Sequence, residues 1–227
     1  MATRPFDLII FDWDGTLIDS IGTIVACTLA ALDDLSLGPM PEESIRDTIG
    51  LGLEETMEKL MPDADADLRN RLRQAYFHHW VETYHGRPIL FEGVDQLLVG
   101  LNREDYLLAV ATGKSRRGLE RDMDRVGQRQ HFVTTRTVDE AASKPHPQMI
   151  NDILDELGVQ PERALMVGDT TYDMAMAKEA GASRLGVLTG SHSCEQLETY
   201  QPLACLSTAL DIPGWLAGLA GGRPSFG

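Results

Sequence analysis

Lysine is scarce in this 227-residue chain, occurring only at Lys59, Lys114, Lys144 and Lys178. Acidic residues number 35 against 20 basic ones, a formal charge of −15. A protein that tracks a phosphate backbone or an anionic bilayer needs a basic face. Nucleic acid and membrane surfaces are therefore excluded as expected partners, and the acidity reads as solubility. Cysteine is also sparse. Cys27, Cys194 and Cys205 are odd in number and share no metal or redox spacing. They read as buried thiols in a reducing cytoplasm. No apolar run approaches the length of about 18 residues that a membrane span needs. Met1-Ala2-Thr3-Arg4-Pro5 leads straight into a strand pattern without a signal-peptide layout, which predicts a cytoplasmic protein. Repeats and low-complexity tracts are missing, and only Gly221–Gly227 reads as a loose tail.

What is present is an alternation. Short apolar runs at Phe6–Phe11, Leu107–Ala111, Ala164–Val167 and Arg184–Leu188, with a weaker one at Leu203–Leu206, read as buried strands. Helical stripes lie between them. Leu97, Leu98 and Leu101 make one, and Leu119, Met123 and Val126 another. Met149, Ile150, Ile153, Leu154 and Leu157 recur at helical spacing and stop at Gly158; Met174–Ala180 stops at Gly181. Continuous apolar strands alternating with helices predict an α/β fold with a Rossmann-like, doubly wound parallel sheet.

One stretch breaks the alternation. From Ser20 to His85 there are only helical stripes: Ile21, Ile24, Val25 and Leu29; Met57, Leu60 and Met61; Leu68, Leu72, Tyr76 and Trp80. Ser20 is placed to cap the first of these helices. The segment reads as an all-helical insertion over residues 18–87 that returns near Gly86-Arg87-Pro88. The core then comprises residues 1–17 and 88–227.

Four short segments fall at or near predicted strand ends, where open α/β sheets hold ligands. They are Asp12-Trp13-Asp14-Gly15-Thr16, Thr112-Gly113-Lys114, Ser143-Lys144-Pro145 and Gly168-Asp169-Thr170-Thr171-Tyr172-Asp173. Taken singly, each has an ordinary reading. Thr112-Gly113 serves as a turn, Lys144 as a solvated lysine, Asp173 as an acid favoured by a helix dipole. Taken together and in order, they point to one site.

In these four segments the chain resembles the haloacid dehalogenase superfamily, in its phosphatase branch with a helical cap. The layout is most similar to the phosphoglycolate-phosphatase group. The resemblance implies Asp12 as a nucleophile forming an aspartyl-phosphate, and Asp14 as general acid and base with its carbonyl as a metal ligand. It implies Thr112 and Lys144 as phosphate-holding and charge-balancing groups. Asp169 matches a direct metal ligand and Asp173 its outer partner, the metal being Mg²⁺. Gly113 stands where the family often has Asn. Trp13 replaces a smaller aliphatic residue, and its backbone amide is expected to face phosphate.

Elementary electrostatics agrees. Two like charges about 4 Å apart at an effective dielectric of about 20 repel by about 4 kcal/mol. Asp12, Asp14, Asp169 and Asp173 carry up to four negative charges that Lys144 alone does not offset. An oxygen-rich acidic site suits Mg²⁺. Gly15 permits a turn that exposes amides to phosphate oxygens.

The expected activity is hydrolysis of a small phosphorylated metabolite, phosphoglycolate-like, by a monomer or homodimer. A phosphosugar mutase shares all four motifs and stays open. A phospho-Asp receiver or binding protein is disfavoured, because receivers place their acidic pair a whole strand earlier and lack the insertion. In the cap, Arg46-Asp47-Thr48-Ile49-Gly50-Leu51-Gly52-Leu53 is the expected specificity loop, with Arg46 beside Gly50 and Leu51. Arg46 either pairs with a substrate carboxylate or is a solvated residue on a helix turn. The histidines, His146 among them, show no zinc spacing.

Overall fold

The computed structural model describes residues 4–84 and 89–220. The run Leu8–Phe11 forms β1 and is buried along its whole length. Leu107–Thr112, Thr134–Thr137, Ala164–Gly168, Ser183–Val187 and Cys205–Leu206 form β2 to β6. All pairs are parallel, in the order β3-β2-β1-β4-β5-β6. β1 thus lies centrally, and the direction of winding switches between β1 and β4. A ligand crevice belongs at that point, beyond the carboxyl ends of the strands.

Alternating side chains build two cores. Ile9, Phe11, Leu108, Val110, Leu165 and Val167 face one side. There they meet Val94–Arg103 (α5), Arg116–Val126 (α6) and Ile212–Ala220 (α10). Leu8, Ile10, Ala109, Ala164 and Met166 face the other. They pack on Gln148–Leu157 (α7) and Thr171–Glu179 (α8). Cys194–Glu198 (α9) completes the core. α7 ends at Gly158 in the left-handed conformation, φ 64°, as its position after the stripe predicts.

Between β1 and α5 stand Ile21–Asp34 (α1), Glu42–Arg46 (α2), Leu53–Leu60 (α3) and Ala66–Tyr84 (α4). The three stripes seen in the sequence form their own small cores. Ile21, Val25, Ile45 and Leu60 make one, Leu32, Met57 and Leu72 a second, and Cys27 with Trp80 a third. The chain leaves and re-enters the core through a two-strand neck. Ile18 bridges Leu90 antiparallel, Asp19 N donates to Ile89 O and Phe91 N donates to Leu17 O. The expected return at Gly86-Arg87-Pro88 lies outside the described residues.

Three sequence readings are corrected. Strand β3, Thr-Thr-Arg-Thr, was absent from the apolar pattern because it is a half-buried polar edge strand. β1 starts at Leu8, not Phe6. Asp7 is held by the Arg163 guanidinium at 2.7 and 2.8 Å, and Phe6 stacks on Trp215. Ser20 occupies the N-cap position of α1 but makes no capping bond; its hydroxyl donates to Asp14 Oδ1 at 2.8 Å instead.

Ile10 is fully buried at the middle of the sheet. Ile10→Ala is expected to lower stability by about 2–5 kcal/mol. A urea titration checks this, with the midpoint falling and the slope unchanged.

Candidate active site

Asp12 follows β1 directly. Its amide donates to Val167 O at 2.9 Å, so pairing with β4 continues one residue past the strand and aims the side chain into the crevice. Gly15 then turns the chain with φ 82°. Asp169 comes off the end of β4. Thr16 Oγ1 donates to its Oδ1 at 2.8 Å and Ser191 N to its Oδ2 at 2.9 Å. Asp173 lies one turn into α8. Its Oδ2 accepts from Thr170 N and Thr170 Oγ1. It is therefore both a capping acid and a site acid, because its other oxygen is used elsewhere.

That other oxygen meets Lys144. The Lys144 ammonium stands 2.6 Å from Asp173 Oδ1 and 2.7 Å from Asp12 Oδ1. It is fully buried, so the solvated reading of Lys144 is excluded. Burial works against its charge, but Asp12 and Asp173 outweigh burial and hold the ammonium far above its ordinary range.

Asp12, Asp169 and Asp173 are buried with carboxylate oxygens within 4.8 Å of one another. Three carboxylates against one ammonium leave a negative excess in a dry place. Burial pushes the Asp12 carboxyl well above its usual value, against the pull of Lys144. Asp169 is pushed up to about 7, first by burial and then by Asp173. Asp12 Oδ2 has no hydrogen-bond partner. An all-oxygen donor set with surplus charge and an unpartnered buried oxygen fits a hard divalent cation such as Mg²⁺.

The Asp14 carboxylate stands apart from this group. Its Oδ1 accepts from Ser20 and its Oδ2 pairs with Lys114 Nζ at 3.0 Å. Lys114 also pairs with Asp122 at 3.2 Å. Burial opposes the Lys114 charge, yet the two carboxylates hold it above its ordinary range. Thr112 is buried and its Oγ1 accepts from Lys114 N at 3.2 Å.

The sheet layer and the helical segment between β1 and α5, called the cap, meet over these groups. A cavity of about 360 Å³ is lined by Asp12, Asp14, Thr112, Gly113 and Lys114 from the core and by Gly50, Leu51, Tyr76 and Trp80 from the cap. Gly113 is explained by close approach. A Cβ there would collide with the carbonyls of Leu51 and Gly50, the latter at 2.6 Å. The same cap turn donates from Gly52 N to Ser143 Oγ at 2.9 Å. Among the lining cations are Arg73, Lys114 and Arg121; Arg46 is not a lining residue. Trp13 is fully buried, with its ring edge-on to Phe132. His146 is exposed and its Nδ1 accepts from Gln148 N.

A family model described as haloacid dehalogenase-like hydrolase matches residues 9–187. The chain belongs to that family. It is 35% identical over 212 residues to a Dickeya dadantii protein named probable phosphatase IndB, covering 91% of this chain and 92% of that one. It is 26% identical to a phosphoglycolate phosphatase of Vibrio parahaemolyticus, covering 89% and 92%. A solved haloacid dehalogenase-like hydrolase from Bacteroides fragilis superposes with TM-score 0.84 at 27% identity, covering 91% and 99%. The chain is an enzyme, a hydrolase whose relatives are phosphatases. No helix among the described residues is long and apolar enough to cross a membrane.

Sequence reasoning missed the groups that orient the acids: Thr16, Ser20, Thr170, Ser191 and the Lys114–Asp122 pair. Signals for the last were present. Lys114 is one of only four lysines, and Asp122 interrupts the apolar stripe of α6 beside Leu119 and Met123.

The raised Asp169 carboxyl gives a stability prediction. A carboxyl whose folded value lies above its unfolded one is protonated sooner in the folded state. That group's contribution to stability falls as pH rises from the ordinary value of 3.8 to about 7. Cation binding needs the deprotonated acids, so the rise in Tm on adding Mg²⁺ should be larger at about pH 7.5 than at about pH 5.5. Calorimetry on chelator-treated protein checks this; an equal rise at both would count against cation binding here.

Proposed function

We propose that this enzyme is a Mg²⁺-dependent phosphomonoester hydrolase that works through an aspartyl-phosphate on Asp12. The observation that carries the reading is the Lys144 ammonium fixed between Asp12 and Asp173. It orients Asp12 at the end of β1 and favours its ionised form where the cavity opens. Asp12 attacks phosphorus as the ester P–O bond breaks, and the electron pair leaves with the alcohol oxygen. Asp14, at the cavity wall, gives that oxygen its proton. It then takes a proton from the water that cleaves the aspartyl-phosphate. Thr112 and the backbone around Trp13 and Gly113 hold phosphate oxygens. Asp12, Asp169 and the Asp14 carbonyl, supported by Asp173, would hold a Mg²⁺ ion, which would supply charge neutralisation for the transferring group.

The segment 18–87 acts as a cap over this site. Its closed seat on Gly113 and Ser143 keeps bulk water from the phosphate. The substrate is a small anionic phosphomonoester, with 2-phosphoglycolate first, as the name of the Vibrio relative suggests. Arg73 and Arg121 line the cavity and are better placed than Arg46 to meet a negative leaving group. The three cysteines, with Cys27 buried, suit a reducing cytoplasm.

Asp12→Asn is nearly isosteric but cannot form the acyl phosphate. A loss of at least about a thousandfold in kcat is expected, equivalent to about 4 kcal/mol of barrier. Activity within tenfold of wild type removes Asp12 as nucleophile. A phosphate-release screen of phosphorylated metabolites should place 2-phosphoglycolate ahead of neutral alkyl phosphates. A sugar phosphate that is isomerised without release of phosphate would instead establish the mutase.

A further inference from the structure

The group that gives the alcohol its proton must be held at the cavity wall, and its oxygens are tethered in this protein. Ser20 holds Asp14 Oδ1 at 2.8 Å and Lys114 holds Oδ2 at 3.0 Å. Lys114 is itself fixed from three directions. Its amide donates to Thr112 Oγ1, which ties the loop to the phosphate-holding threonine. Its ammonium is 3.2 Å from Asp122 on α6, whose side chain is entirely buried. The ammonium also lies 4.8 Å from the ring centre of Trp80 on cap helix α4. A buried carboxylate inside an apolar stripe costs stability, and an apolar residue of similar size usually serves a core better. Asp122 therefore calls for a reason, and its nearest charge partner is Lys114.

We propose that Lys114, anchored by Asp122 and covered by Trp80, is a positioning residue that sets the Asp14 carboxyl for proton transfer to the leaving alcohol. This rests on the reading of Asp14 as the acid. In the step concerned, the Asp12–phosphorus bond forms and the ester P–O bond breaks. The departing oxygen takes both electrons and receives the proton that Asp14 carries. Lys114 supplies no proton and touches no reacting atom; it fixes where Asp14 stands. The contact with Trp80 makes this hold complete only with the cap seated.

A role exerted through Asp14 has a signature that a general structural role lacks. An alkoxide leaves poorly without a proton, whereas p-nitrophenolate needs one far less. The value of kcat/KM reads phosphoryl transfer to Asp12 and not the later hydrolysis. Lys114→Met should therefore lower kcat/KM about a hundredfold for an alkyl phosphate and less than about fivefold for p-nitrophenyl phosphate. In an Asp14→Asn background the same substitution should cost less than about threefold on the alkyl phosphate, because its target is gone. Asp122→Asn, nearly isosteric, should show the same leaving-group bias with about a tenfold loss, and it carries the test if Lys114→Met does not fold. Equal losses on both substrates, or an undiminished Lys114→Met effect without the Asp14 carboxylate, would overturn the proposal and make Lys114 a direct substrate or structural contact. Asp14→Asn measured alone keeps the two readings separate. Full alkyl-phosphatase activity there sinks the assignment of Asp14 as the acid, and the role of Lys114 falls with it.

Discussion

Everything at the carboxyl edge of the sheet depends on one buried ammonium. Lys144 lies between Asp12 and Asp173 with no exposure to solvent. An ion of that kind pays a desolvation cost that only close, well-aligned partners offset. The two carboxylates arrive by different routes, Asp12 directly after β1 and Asp173 in the first turn of α8 after β4, and the lysine on the loop after β3. Three separate connections must therefore be in register before the charge is satisfied. The parallel order around β1 supplies that register, since β1 pairs residue for residue with β4 and through β2 with the edge strand β3. The polar strand β3 matters for this reason: it carries little of the core, but the chain returns along it to deliver Lys144.

The second constraint is the seam between cap and core. Gly113 admits no side chain because the Gly50–Leu51 carbonyls sit on it, and Gly52 is tied to Ser143. Farther out, the Lys59 ammonium and the Tyr172 hydroxyl both donate to the Asp47 carbonyl. The cap turn thus touches loops that also carry Thr112, Lys144 and Asp173. Three of the four lysines lie at the site or on this seam. In so acidic a chain their placement follows from local need: cations are kept where carboxylates or carbonyls converge.

Much of this was legible in the sequence, and the limits have physical causes. Strands β1, β2 and β4 are near-continuous apolar runs, since both faces are covered by helices, and β5 shows the same pattern only in its buried second half, Leu185–Val187. The four motif segments are legible because carboxylates, hydroxyls and lysine at strand ends have few structural uses. β3 was not legible because an edge strand need not be apolar. The neighbours that aim the acids were not legible either. Thr16, Thr170 and Ser191 are common residues whose meaning lies in which oxygen they reach. Ser20 illustrates the limit. Its position before a helix favours a cap, but the carboxylate of Asp14 is a stronger acceptor than helix amides are donors, and it takes the hydroxyl.

The two acidic centres differ in how their charge is met. Asp12, Asp169 and Asp173 share a single ammonium and remain over-charged, with an unpartnered oxygen on Asp12. That arrangement is suited to a cation and a transferring phosphoryl group. Asp14 and Asp122 also share one ammonium, but Asp14 has every oxygen engaged by a side chain and stands outside the first cluster. A carboxyl so placed is fixed in orientation. Asp12 and Asp14 are only two residues apart, and the strand-then-turn geometry of Asp12–Gly15 gives them different partners, Lys144 for one and Ser20 with Lys114 for the other. Under the proposed mechanism, that separation would let one short segment keep one acid for attack on phosphorus and the other for moving a proton.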